Sequence, residues 1–200
     1  KHAIHRLTPI YKVNYNKKTG EPFTGSNNYH SRWEGDNNNG NNWNNNIMPG
    51  FEAVYGYNFV NVSHFNNENK TQNEFFEKPV LIKTLYYPAF SKDTLNYQPV
   101  TRNYYMVSVY DEDSNKDGFI NVKDLRRFYL FNLDGKLIKP LVPKNYSVMS
   151  SEYDSDNDFM YVFAKFDQNN NGQMEQQEQT HVFWVDLKNP DNIGVHYMNK

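Results

Sequence analysis

The chain has 200 residues, 38% of them hydrophobic, enough to bury one substantial core in a single domain spanning 1–200. Its formal charge of −2 and the lack of any Lys/Arg-rich run leave no basic face for a phosphate backbone, so nucleic acid is not an expected partner. Cysteine is absent, which excludes disulfides, zinc–thiolate sites and thiol catalysis, and no apolar run reaches the length of a transmembrane segment.

The sequence opens on Lys1 rather than Met, as a processed chain would, and the expectation is a removed secretory signal or a lipid anchor upstream of residue 1. Aromatic residues are abundant (16 Tyr, 14 Phe and 3 Trp) and Asn is heavily used, while Leu and Ala are scarce. That balance favours strands and polar loops over helices, and the expected class is all-β.

Taken in chain order, residues 1–50 predict a hairpin and a loop. Ile10-Tyr-Lys-Val-Asn-Tyr15 turns at Lys17-Lys-Thr-Gly20, and an Asn/Gly tract from Asp36 to Asn46 follows. The tract cannot bury enough apolar surface to order itself. Trp33 and Trp43 bracket it. With Tyr29, Glu34 and Asp36 they offer a sugar-stacking platform, although two aromatics anchoring a loop is the simpler reading.

Residues 101–150 and 151–200 repeat one another. At an offset of 54, Met106-Val-Ser-Val-Tyr-Asp-Glu-Asp113 falls on Met160-Tyr-Val-Phe-Ala-Lys-Phe-Asp167, and Phe128-Tyr-Leu-Phe-Asn-Leu133 falls on Val182-Phe-Trp-Val-Asp-Leu187. Each unit reads as strand, long polar connection with a few helix-compatible residues, strand and turn. A fainter copy within 51–100 sets Asn58-Phe-Val-Asn-Val62 and Val80-Leu-Ile-Lys-Thr-Leu85 in the same places. Its connection carries Phe65 and Phe76 where the later copies have acidic residues, so no metal site is expected there.

The connections of the two strong copies share one pattern of oxygen donors. Ligands at loop positions 1, 3, 5, 7 (through the backbone carbonyl), 9 and 12, with Gly at 6, suit a hard cation. The first loop supplies Asp113, Asn115, Asp117, Phe119, Asn121 and Asp124 with Gly118 at the turn; the second supplies Asp167, Asn169, Asn171, Gln173, Glu175 and Glu178 with Gly172. Ile120 and Met174 would be the inward apolar residues. All side-chain donors are oxygens and the loops are long and flexible, so two Ca2+ ions are the expected cofactors.

These loops resemble the EF-hand family, and Asp113-Ser-Asn-Lys-Asp-Gly-Phe-Ile-Asn-Val-Lys-Asp-Leu125 in particular resembles its dockerin variety, with Asn at position 9 and Asp-Leu at 12 and 13. The resemblance covers about thirteen residues twice. It implies the metal ligands but not cohesin binding, because a dockerin continues into a helix and repeats after a couple of dozen residues. The repeat as a whole looks like β-propeller blades with calcium loops inserted in a hairpin; a β-sandwich or an open meander is the alternative.

Function follows from what the loops lack. A sensor needs flanking helices that open, and strands stand there instead, so calcium is expected to clamp the scaffold. Weak sites of that kind fill outside the cell, which points to an extracytoplasmic protein: periplasmic, secreted or on the outer-membrane surface. The six histidines, His2, His5, His30, His64, His181 and His196, are scattered, and no phosphate loop or nucleophile elbow is present. The expected function is non-enzymatic binding of a protein or glycan; a carbohydrate-active enzyme or a glycan-binding module built on Trp33 and Trp43 is the alternative.

Overall fold

The computed structural model describes residues 4–23, 27–30, 48–56, 58–90 and 92–198. Its strands in chain order are β1 (His5–Tyr11), β2 (Asn14–Tyr15), β3 (Pro22–Phe23), β4 (Asn27–His30), β5 (Phe51–Gly56) and β6 (Phe59–Asn66). There follow β7 (Gln72–Glu74), β8 (Leu81–Pro88), β9 (Asp93–Leu95), β10 (Gln98–Val100), β11 (Tyr104–Tyr110) and β12 (Arg127–Asn132). The last five are β13 (Leu137–Pro140), β14 (Tyr146–Asp154), β15 (Phe159–Phe166), β16 (Thr180–Asp186) and β17 (Ile193–Tyr197). The fold is all-β and antiparallel as expected, and among the described residues there is no helix, so none that could cross a membrane.

Three sheets stack face to face. The middle one has six strands in the order β13-β12-β11-β8-β5-β4; on one side lies the sheet β1-β6-β7, on the other the meander β14-β15-β16-β17. Two apolar clusters define the layers. Tyr104, Met106, Phe128 and Leu130 face Val148, Met160, Val162, Phe183 and Val185 of the meander, whereas Tyr105, Val107, Val109, Tyr129 and Phe131 face Phe59, Val62 and Phe75 of the opposite sheet. Successive residues of β11 and β12 therefore alternate between two cores, which is why both strands are apolar at almost every position. Among the described residues no sheet closes into a barrel.

The strong repeat folds as read. β11 pairs with β12, β15 pairs with β16, and Gly135 (φ 70°) makes the turn into β13. The faint third copy behaves differently: β6 bonds to β1 and β7, whereas β8 bonds to β11 and β5, so its two strands stand in different sheets. At the N-terminus the Lys17 turn does close a hairpin, but only through the two-residue strands β2 and β3. Most of Ile10–Tyr15 is divided between that hairpin and β1, whose partner is β6.

One buried ion pair locks the middle sheet to the meander. The Arg102 guanidinium donates to both oxygens of Asp158 at 2.9 and 2.7 Å, to the Leu187 carbonyl at 2.6 Å and to the Pro49 carbonyl at 3.0 Å, with both charged side chains 1% exposed. Tyr153 donates a further bond to Asp158. Such a pair is retained when every donor and acceptor is satisfied, and losing one partner leaves an uncompensated charge. Arg102→Met should therefore cost about 3–5 kcal/mol in denaturant unfolding. Adding Asp158→Asn, which removes the stranded charge, should recover part of that loss.

Candidate functional site

The two loops leave β11 and β15 and enter β12 and β16, and they share one hydrogen-bond pattern at positions 1, 3 and 5 and a closely similar one at position 12. At position 1, Asp113 accepts the N–H groups of Asp117 (3.0 Å) and Gly118 (2.8 Å), as Asp167 accepts those of Asn171 (3.1 Å) and Gly172 (3.0 Å). At position 3, Asn115 Oδ1 accepts Asp117 N–H and Asn169 Oδ1 accepts Asn171 N–H, each at 3.0 Å. At position 5, Asp117 accepts Phe119 N–H and Asn171 accepts Gln173 N–H. At position 12, one oxygen of Asp124 accepts Asn115 N–H and the other Asn121 N–H, while Glu178 accepts from Gln168 and Glu175.

The backbone agrees with the side chains. Positions 4 and 6 of both loops have positive φ: Lys116 at 59° and Gly118 at 91°, Asn170 at 56° and Gly172 at 73°. Two unrelated polar connections would have no reason to coincide at both. Each carboxylate has room for about four acceptor contacts, and the amides take one or two of them on each oxygen, so acceptor capacity remains for a cation. At position 9, Asn121 donates to Asp117 and to the Phe119 carbonyl, and Glu175 accepts from Asn169 and Gln177. The Asn121 amide, followed by Phe119 N–H, holds the Asp117 carboxyl below its ordinary range.

The local structure has strands beside the loops, as the sequence leads one to expect, and departs from that expectation at one inward residue. The end of each loop turns directly into a strand with no helix, through the bonds Asp124 N–H to Asn121 O and Glu178 N–H to Glu175 O. Ile120 is half-buried, but Met174 is 47% exposed and does not face inward. The two end carboxylates, Asp124 and Glu178, are buried, as is Asp167.

The loops also touch each other, which the 54-residue spacing does not reveal. Asp124 and Gln173 form an isolated antiparallel bridge, and Ser114 donates its hydroxyl to the Gly172 carbonyl at 2.6 Å. A Cβ on Gly172 would lie 1.9 Å from the Ser114 carbonyl oxygen, whereas one on Gly118 would meet nothing within 4 Å. The same Ser114 hydroxyl approaches Asp124 and accepts Leu125 N–H, so one residue of loop 1 links its own end carboxylate to the turn of loop 2. Behind loop 2, the Lys165 ammonium donates to the Gln176 and Glu178 carbonyls.

A second cluster lies at the far end of β12. Among the described residues, His5, His64 and Asp134 form the one group of three His, Asp or Glu side chains whose ligand atoms all lie within 4.8 Å of each other. Asp113, Asp117 and Asp124 of loop 1 do not form such a triad, their oxygens being held on the loop amides. His5 Nδ1 is 2.9 Å from His64 Nε2 and 3.9 Å from Asp134 Oδ1. Burial first, then the adjacent His64 ring, lowers the His5 imidazole from its ordinary value, while Asp134 and Glu68 act in the opposite direction. Trp33, Trp43 and the Asn-rich tract lie outside the described residues.

The two loop glycines separate a local requirement from a shared one. Gly118→Ala should cost only the backbone strain of its positive φ, about 1 kcal/mol. Gly172→Ala adds a collision with the backbone of loop 1 and should cost clearly more, with amide exchange accelerated in both loops. Equal losses in the two variants, or protection lost in loop 2 alone, would show that the loops are independent. Comparison with family models, with curated proteins and with solved structures finds no match, so the site is described by its own residues.

Proposed function

We propose that both loops bind Ca2+ and that the ions clamp a β scaffold which meets a protein or glycan partner outside the cytoplasm, without catalysis. The observation that carries this reading is the agreement of the two loops at positions 1, 3 and 5 in amide acceptance and at positions 4 and 6 in positive φ, with an oxygen-bearing side chain at positions 1, 3, 5, 9 and 12 of both. A hard dication bound by six to eight oxygens suits a loop that already holds its carboxylates on backbone amides. We read the antiparallel sheets as propeller-like, with the faint copy divided between two layers and forming no blade of its own, and a secreted or lipid-anchored protein would keep such sites filled, because extracellular calcium suffices even for weak ones.

The clamp has a direction. Loop 1 joins the middle sheet's β11 to β12 and loop 2 joins the meander's β15 to β16, so ions in loops that touch would tie two layers at one end of the stack. Loop 2 contains three carboxylates and no Lys or Arg, whereas loop 1 sets Lys116 and Lys123 against its three. Loop 2 should therefore bind the more tightly.

Calcium at a hundredfold excess over Kd should stabilise the chain by about 2.7 kcal/mol per site, raising the thermal midpoint, and chelator should reverse it. Glu178→Gln should weaken calcium binding at loop 2 by roughly tenfold or more, since ligand charge sets affinity in such loops. Asp117→Asn, which gives loop 1 the side chain loop 2 already has at position 5, should have a smaller effect. A midpoint indifferent to calcium and chelator would end the proposal.

A further inference from the structure

We propose that His5, His64 and Asp134 form a second, chemically different metal site that takes a zinc-class ion through two imidazole nitrogens and one carboxylate oxygen. The site arises from the register of the outer sheet. His5 lies opposite Asn66 and His64 opposite Leu7, so the two histidines are diagonal neighbours on one face of the antiparallel pair β1 and β6. Asn73 of β7 lies directly opposite His64. Asp134 comes from another layer, in the turn between β12 and β13 of the middle sheet.

The distances suit one shared ion as well as the hydrogen-bonded pair. Zinc binds imidazole nitrogen and carboxylate oxygen at about 2.0–2.2 Å in tetrahedral geometry, which places neighbouring ligand atoms roughly 3.3 Å apart. The observed separations, 2.9 Å between the two nitrogens and 3.9 Å from His5 Nδ1 to Asp134 Oδ1, bracket that value. Shifts of a few tenths of an ångström at exposed side chains would complete it: Asp134 is 56% exposed and His5 22%.

The surroundings orient the ligands. His64 is 1% exposed, and its Nδ1 is 3.0 Å from Asn73 Oδ1. The same Asn73 donates its amide to the Gly135 carbonyl at 3.4 Å, which fixes the amide oxygen toward the ring. His64 therefore carries its proton on Nδ1 and turns the Nε2 lone pair toward His5. One residue thus sets the tautomer of one ligand and holds the turn bearing another, the outer-shell arrangement usual around metal-bound histidine. With that tautomer of His64 the proton shared by the two rings belongs to His5 Nδ1; an ion bound there would leave neutral His5 protonated on Nε2 instead, a change of tautomer that releases no proton.

Imidazole selects zinc and its transition-metal neighbours over calcium, which takes oxygen donors. The cluster stands at the end of the six-residue strand β12 away from the loops, about 20 Å along the strand. A zinc-class ion there would pin β1 and β6 of the outer sheet to the middle sheet, and an exposed fourth position would hold water.

The test uses the untagged chain in saturating calcium, with zinc as the added metal, followed by calorimetry and by metal analysis after gel filtration. One zinc per chain is expected. His5→Gln and Asp134→Asn should each weaken zinc binding by about tenfold or more and leave the calcium-dependent midpoint shift unchanged. Asn73→Ala, which touches no ion, should weaken it by about 10–100-fold as a positioning residue. Cobalt in place of zinc should give visible absorption that is lost in His5→Gln, a signature a packing role would not produce. Absence of bound zinc, or zinc held equally well by the His5→Gln/Asp134→Asn double variant, would overturn the proposal.

Discussion

The middle sheet has no solvent face along β11 and β12, and that constraint organises the rest of the molecule. Tyr104, Met106, Phe128 and Leu130 need one apolar cover, and Tyr105, Val107, Tyr129 and Phe131 need another. A sheet buried on both sides requires two further layers, and each layer must be fixed in register by something other than apolar contact, which is non-directional. Directional groups do that work at the margins. Arg102 and Asp158 fasten the meander, the paired loops join it again at one end of β12, and the His5–His64–Asn73 row meets the Asp134 turn at the other.

The loops illustrate how a short polar segment becomes a defined structure without a helix. Asx-type bonds from positions 1, 3 and 5 to the amides ahead of them curl the chain, the residues at positions 4 and 6 accept positive φ, and the carboxylate at 12 accepts one amide near the start and the amide of position 9. The cost is a concentration of negative charge near the surface, with buried Asp124, Asp167 and Glu178 at its base. Hydrogen bonds from N–H groups offset part of it, and a dication would offset the remainder. Contact through Ser114 and Gly172 means that charge neutralised in one loop also changes the setting of the other.

What could be read from the sequence follows the range of the interactions involved. Strand identity and pairing in the two strong copies were legible, because β11 with β12 and β15 with β16 are joined by single connections whose pattern of Asp, Asn and Gly is local. The faint copy shows the limit: its apolar pattern marked β6 and β8 as strands, but partner choice depends on distant chain, and the middle sheet claims β8 while β1 claims β6. Gly172 was explained by its turn alone, and nothing nearby discloses the Ser114 carbonyl that also demands it. His64 and Asp134 are seventy residues apart with no motif between them, and only the folded register brings them to one point.

The central claim is that the two touching loops are calcium sites which fasten the layers, and the most direct measurement is a crystal structure grown in calcium, with anomalous scattering locating the ions. The account predicts one peak in each loop, with ligand oxygens of Asp113, Asn115, Asp117, Phe119 and Asp124, and of Asp167, Asn169, Asn171, Gln173 and Glu178, at about 2.3–2.6 Å. Loops that keep their carboxylates on backbone amides with no anomalous density at saturating calcium would contradict it.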